Sequence, residues 1–173
     1  MPDSSDHGPH HPQTASESSY DKLGLTLRPA IPKDAHGIKQ LTQLAFDKYI
    51  PQIGGTPRTI RRDYRQVIHQ DQVWVVEENE TLVAVLVLAS CDHHFHISNL
   101  AVHPTWQRRG LGKGLLHHAE QQSQRAGYSE IWLHTNEIMV GNIRLYTSLG
   151  YEEMYRQTYH ATASIYMRKI LHL

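Results

Sequence analysis

At 173 residues the chain has the length of one ordinary domain, enough to bury a real core. Lys plus Arg and Asp plus Glu both total 17, a balance that argues against nucleic acid or an anionic membrane as the main partner. One cysteine, Cys91, excludes an intramolecular disulfide framework and a cysteine-only zinc site.

No apolar run approaches the roughly 18 residues of a membrane helix. The opening M-P-D-S-S-D-H-G-P-H lacks the basic-then-apolar layout of a signal peptide, so a soluble, cytoplasmic protein is expected. Residues 1–22 are rich in Ser, His, Asp and Pro, with almost nothing apolar beyond Tyr20. They are expected to form a disordered tail ahead of a single domain over residues 23–173. His7, His10 and His11 in that tail could bind metal adventitiously, but no specific metal site is expected there.

Leu25 to Arg28 alternates like a short strand and stops at Pro29. Asp34 is an N-cap candidate for a helix whose apolar positions, Ile38, Leu41, Leu44 and Ala45, keep helical spacing. After the loop Ile50 to Gly55, a more polar helix is predicted over about Pro57 to His69. Val73 to Val76 and Leu82 to Leu88 are β-rich runs joined by the polar turn Glu78-Asn79-Glu80, a hairpin signal. Phe95 to Val102 is another strand, ended by His103-Pro104. A glycine-rich helix runs from about Gly110 to Ala126 and closes at Gly127. Glu130 to Thr135 is a strand, Met139 to Leu149 a helix closed by Gly150, and two last strands lie near Glu152 to Tyr159 and Ala163 to Lys169. The order β-α-α-β-β-β-α-β-α-β-β describes a mixed sheet flanked by helices.

The stretch W-Q-R-R-G-L-G-K-G, Trp106 to Gly114, demands an explanation. Each internal helix glycine costs roughly 1 kcal/mol against alanine. Leu111, Leu115, Leu116 and Ala119 already supply a buried stripe, so the glycines at 110, 112 and 114 are not needed for packing. A strand, a glycine turn and a helix N-terminus direct free amides and a positive dipole end outward, which suits a phosphate, and Arg108 and Arg109 add charge. A Walker loop fails, because Lys113 is followed by Gly114 rather than Ser or Thr and the spacing is wrong. A dinucleotide fingerprint fails too, since its third glycine would fall on Leu115.

Gln107-Arg108-Arg109-Gly110-Leu111-Gly112 resembles the Q/R-x-x-G-x-G/A pyrophosphate loop of the Gcn5-related N-acetyltransferases. The preceding I-S-N-L-A-V-H-P resembles the fourth strand of that family, and N-I-R-L-Y-T-S-L-G-Y, Asn142 to Tyr151, its downstream helix. The resemblance covers about residues 25 to 169. It implies an α/β (α+β) fold: a mixed, mostly antiparallel sheet of about seven strands with four flanking helices, its fourth and fifth strands splayed. It also implies an enzyme moving acetyl from acetyl-CoA, a co-substrate, to a primary amine by direct attack, with no metal.

Carried over residue by residue, the resemblance puts the pyrophosphate on the amides of Arg108, Arg109, Gly110, Leu111, Gly112 and Lys113. The pantetheine falls against the strand backbone at Leu100, Ala101 and Val102. Tyr146 matches the tyrosine near the CoA sulfur, a proton donor for the leaving thiolate; its helical spacing with Ile143 and Leu149 also suits a core tyrosine. Met139 stands where many members carry asparagine, and Asn142, one turn before Tyr146, is the substitute contact. His96 and His134 are the base candidates, His96 favoured, with an activity limb near pH 6 to 7 expected from either; a water chain is the alternative. A metal reading of His93, His94 and His96 lacks the companion ligands it needs.

The loop Tyr49 to Gly54 and the hairpin Tyr159 to Tyr166 border the acceptor pocket in the resembled family. They hold no acidic cluster to announce a polycationic substrate, so a small-molecule or amino-acid-like amine is the expected partner. A protein N-terminus or lysine, or a non-catalytic acyl-CoA sensor, is the alternative. Neither nucleic acid nor membrane is expected as a partner, and a homodimer is compatible.

Overall fold

The computed structural model describes residues 20–172. These fold into β1 (Thr26–Pro29), α1 (Ala35–Phe46), α2 (Ile50–Ile53), α3 (Arg58–Arg61), α4 (Tyr64–Gln70), β2 (Gln72–Glu78), β3 (Thr81–Ser90), β4 (Phe95–Val102), α5 (Leu111–Arg125), β5 (Glu130–Asn136), α6 (Val140–Ser148), β6 (Glu152–Tyr159) and β7 (Thr162–Ile170). One seven-stranded sheet runs in the order β1-β2-β3-β4-β5-β7-β6. Its only parallel pair among the described residues is β4 with β5. The mixed, mostly antiparallel sheet expected from the sequence is the sheet observed.

The central strand explains the layering. Residues 83–88 of β3 are all buried, because both faces of the sheet are covered. Ala84, Leu86 and Leu88 share one core with Leu111, Leu115 and Leu116 of α5. Val85 and Val87 face the opposite core, with Ile38 and Leu41 of α1 and Tyr64 and Val67 of α4. Asn79 and Glu80 both take positive φ, 46° and 66°, the conformation that a tight hairpin between β2 and β3 requires.

Four local expectations needed revision. The predicted helix Pro57 to His69 is two helices, because Arg62 is extended (ψ 148°) and the Asp63 carboxylate accepts from the Arg65 amide to start α4 afresh. The loop Ile50 to Gly55 contains the single turn α2, which Gly54 ends in the left-handed region. Asp34 does not cap α1 with its side chain; its carboxylate accepts from the Ile31 amide and from both terminal nitrogens of Arg28, which hold it below the usual carboxylate range. Leu44 keeps the spacing of its stripe but lies 46% exposed, whereas Ile38, Leu41 and Ala45 are buried. At the N-terminal side Tyr20 is already buried against the α5 core. Residues 1–19, with His7, His10 and His11, lie outside the described residues.

Candidate active site between the splayed strands

The site begins as a failure of strand pairing. β4 and β5 pair only through Phe95↔Ile131, His96↔Trp132 and Ile97↔Leu133. On its other side β4 skips a residue: Leu88 of β3 pairs with Ile97, but Val87 pairs with Asn99, so Ser98 bulges out. A bulge bends its strand and re-aims the residues beyond it. Before it, Phe95 and Ile97 pack on the α5 side; after it, Asn99 and Ala101 turn to the α1 and α4 side. Arg62 donates to the Ser98 hydroxyl at 2.9 Å and ion-pairs with Asp71, tying the bulge to α4.

Beyond the bulge the ladder alternation fixes which backbone groups are free. The His103 amide donates to Val83 O, so the backbone groups of Ala101 and Asn99 also face β3. Those of Leu100 and Val102 face the gap towards β5. Leu100 and Val102 are therefore brought to the site as expected, but Ala101 is not: its backbone faces β3 and its side chain, 2% exposed, belongs to the opposite core.

The glycine turn closes one end of the gap. The Gln107 side-chain amide donates to Val102 O at 3.0 Å and pins the loop to the strand end. Arg109 lies over the Trp106 ring, 4.6 Å from its centroid. Arg108 (φ 60°) and Gly110 (φ 85°) are both left-handed. The first amide bonded inside α5 is that of Gly114, to Gly110 O, so the amides of Leu111, Gly112 and Lys113 have no helical partner and point out of its N-terminus. The three glycines turn out to have three different reasons. Gly110 is required by its φ. A Cβ on Gly114 would sit 2.7 Å from the Tyr20 hydroxyl, so that glycine serves packing, against the expectation. A Cβ on Gly112 would meet only Leu145, at an ordinary 3.6 Å. Neither conformation nor packing asks for Gly112.

The gap opens into a cleft of about 820 Å³. It is lined by Ile53, Gly54 and Arg58, by Tyr159, His160 and Tyr166 of the β6–β7 hairpin, and by Asn142 and Tyr146 of α6. The two loop segments expected to border it do so. Tyr146 is also a core residue, 6% exposed, packing near Tyr151 and with Ile143 and Leu149 of its own helix beside it. Burial, and then the nearby Tyr49 phenol, push its ionisation far up, so it stays a protonated donor. Asn142 lines the cleft and donates to Met139 Sδ at 3.6 Å, which also accepts from Thr135.

His96 and His134 meet across the paired ends of β4 and β5: His96 Nε2 and His134 Nδ1 are 2.8 Å apart. One of these nitrogens donates and the other accepts, so the pair is satisfied as two neutral rings. Burial, then the neighbouring His134 and His94, bring the His96 pKa down to about 4. His134 is also lowered, by burial and then by the Arg58 charge, although the residue keeps an exposed surface. Of the two, His134 lines the cleft and His96 stands behind it, the reverse of the favoured order. Tyr166 stacks on His134 with centroids 5.4 Å apart, and Tyr155 stacks on Tyr166 at 4.5 Å. Among the described residues no group of three or more His, Cys, Asp or Glu is placed to hold a metal. No helix among them is long and apolar enough to cross a membrane.

A seven-stranded mixed sheet, opened between its one parallel pair over a helix N-terminus, defines a class. The chain belongs to the acetyltransferase (GNAT) family, whose profile matches residues 38–151. Among curated proteins it is similar to the [ribosomal protein bS18]-alanine N-acetyltransferase of Escherichia coli K12, 38% identical over 65 residues, and to that of Salmonella typhimurium, 41% identical over 66. These matches cover 37% and 38% of this chain and only 44% and 45% of the relatives' lengths. Among solved structures it is similar to the Escherichia coli ribosomal-protein-S18-alanine N-acetyltransferase, with a TM-score of 0.68 and 19% identity over 86% of this chain and 95% of that one. It is also similar to a Thermoplasma acidophilum PaiA N-acetyltransferase in complex with coenzyme A, with a TM-score of 0.71 and 16% identity over 84% and 98%. At those identities the structures share the fold.

Proposed function

We propose that the chain is a cytoplasmic N-acetyltransferase moving acetyl from acetyl-CoA to a primary amine of a small or amino-acid-like acceptor. The observation that carries this is Gly112, a helix-opening glycine with no intramolecular reason to be glycine, among three outward-pointing amides. A cradle without a Cβ fits a pyrophosphate. In this reading Arg108 to Lys113 hold the pyrophosphate, Leu100 and Val102 offer backbone groups to the pantetheine, and Asn142 contacts the cofactor from α6. When bound, acetyl-CoA supplies the activated acetyl group.

The chain's own residues do the rest. The acceptor ammonium loses a proton to the Nε2 of His134, the nitrogen not used in the contact with His96. His96 takes over the proton of His134 Nδ1, so the charge is shared across the pair. A Leu100 amide, fixed by the ladder, stabilises the oxyanion that forms as nitrogen bonds to the carbonyl carbon. As the carbon–sulfur bond breaks, Tyr146 gives its phenolic proton to the thiolate. The second proton, lost by the acylated nitrogen, restores the phenol, so that the amide and the free CoA thiol leave.

A protein N-terminus as acceptor is favoured by one observation, that the curated relatives act on an alanine of a ribosomal protein. Both acceptors share a primary amine. The test is Gly112→Glu: since its Cβ meets only an ordinary contact, the fold should survive, and a carboxylate would occupy the pyrophosphate cradle. Calorimetry should show acetyl-CoA binding abolished at unchanged melting temperature. Unchanged affinity would overturn the assignment.

A further inference from the structure

We infer that the acceptor carries, beside its amine, an anionic group (a carboxylate or a phosphate) that is held by Arg58 and Arg61 at the mouth of the cleft. This deepens the acetyl-transfer reading and rests on it. The protein as a whole is neutral, with 17 cationic and 17 acidic residues. Its cleft is not. Among the described residues lining it are two arginines and two histidines, and no Asp or Glu.

The two arginines are presented rather than merely exposed. They stand three residues apart on α3, so they share a face of that single turn. The turn itself is anchored: Ile60 is 4% exposed, its amide donates to Pro57 O, and Tyr64 donates its phenolic proton to Thr59 O at 2.7 Å. The next residue, Arg62, is consumed by Asp71 and Ser98. Arg58 and Arg61 have no ion pair or side-chain hydrogen bond with any described residue. They also line a second concavity of about 510 Å³ whose one carboxylate, Asp63, is occupied in capping α4. Two guanidiniums held on a rigid turn, with five donors each and no internal partner, present a ready fork for a carboxylate or phosphate.

The position suits the chemistry. Arg58 is near enough to His134 to oppose its protonation. A second cationic centre on the acceptor would meet both guanidiniums, with no carboxylate on the cleft wall to balance them. A zwitterionic acceptor has the opposite fate. Its anion pairs with the arginines, and its ammonium is left to give up to His134 the proton that it must lose before attack.

The experiment compares acceptors matched except for charge: alanine against alaninamide, and phosphoethanolamine against ethanolamine, with spermidine as the cationic extreme. The full chain is used, kcat/KM is read by thiol release from acetyl-CoA, and acceptor binding to the CoA complex is read by calorimetry. The anionic member of at least one pair should be favoured about 10-fold to 100-fold, the range of hydrogen bonds to charged groups. The pair showing the preference identifies the anion as carboxylate or phosphate. Arg58→Gln and Arg61→Gln should each reduce the preference and the double variant should erase it, all with unchanged acetyl-CoA affinity. Equal or better use of the neutral or cationic amines overturns the inference, as does a preference that survives the double variant. A fall in acetyl-CoA affinity equal to that in acceptor use also overturns it, because the arginines would then serve the co-substrate. Absence of acetyl-CoA binding to the unaltered protein sinks the parent reading, and this one with it.

Discussion

Tyr146 belongs to the core cluster and also lines the cleft, so packing and a part in the reaction have to be separated by experiment. Tyr146→Phe keeps the ring, so stability and acetyl-CoA affinity should change little, while turnover should fall about 10-fold to 1000-fold if the phenol protonates the thiolate. A rate within about a factor of two of the unaltered protein on a saturating acceptor would reduce it to packing. The histidine pair makes a second prediction, and here the structure changes the expected pH. A free imidazole would give an activity limb near pH 6.5. With His96 lowered to about 4 and His134 lowered too, the basic, neutral pair persists to lower pH than a free imidazole would. The acid limb of kcat/KM should therefore lie below that of a free histidine, rising as pH increases through the lowered pKa. His134→Gln should remove the limb and lower the plateau. His96→Gln should instead move the limb towards lower pH, because the ring that shares the proton taken up by His134 is gone. A limb unchanged in both variants would leave the proton to water.

At the scale of elements, α5 is where opposing terms can be weighed. Replacing a helix glycine by alanine gains roughly 1 kcal/mol of propensity, whereas overpacking a core costs about 1–3 kcal/mol. At Gly114 the new methyl would lie 2.7 Å from the Tyr20 hydroxyl and 3.2 Å from the ring carbon that bears it. Tyr20 is 6% exposed and cannot simply swing into solvent. The clash should win, so Gly114→Ala lowers stability by about 1 kcal/mol. In a Tyr20→Phe background the closest contact is gone, and the same substitution should be neutral or stabilising. Denaturant titration of the four proteins gives the coupling, and subtracts whatever the Tyr20 hydroxyl contributes by itself. Equal effects of Gly114→Ala in both backgrounds would separate Tyr20 from α5. The same pair shows why the reason for that glycine could not be read locally: the partner comes from 94 positions upstream, in a segment whose composition resembles a tail.

For the whole molecule, the legible part was whatever repeats along the chain with a period set by backbone geometry. The strands, the helical stripe of α5, the hairpin at Asn79-Glu80 and the glycine turn before α5 all obey local rules, because amides at a helix N-terminus and left-handed glycines act on near neighbours. The resemblance supplied the splay between β4 and β5, and the pairing confirms it. What stayed hidden was the device that sits beside the splay. F-H-I-S-N-L-A-V alternates without interruption, and its burial alternates just as evenly, yet Ser98 switches the faces of the residues on either side. Since helices cover both faces of the sheet, a buried residue looks the same in sequence whichever core it enters. The placement of Ala101 failed for that reason. The order of His96 and His134, 38 positions apart, and the unpaired charges of Arg58 and Arg61 beside the β6–β7 hairpin were equally beyond the sequence. By itself, then, the sequence determined the elements and the glycine turn that opens α5, which depend on contacts within a few residues. Only the tertiary structure decided which histidine meets the cleft, which glycine packing requires and which charges find no partner, because each depends on what distant segments bring to the same place.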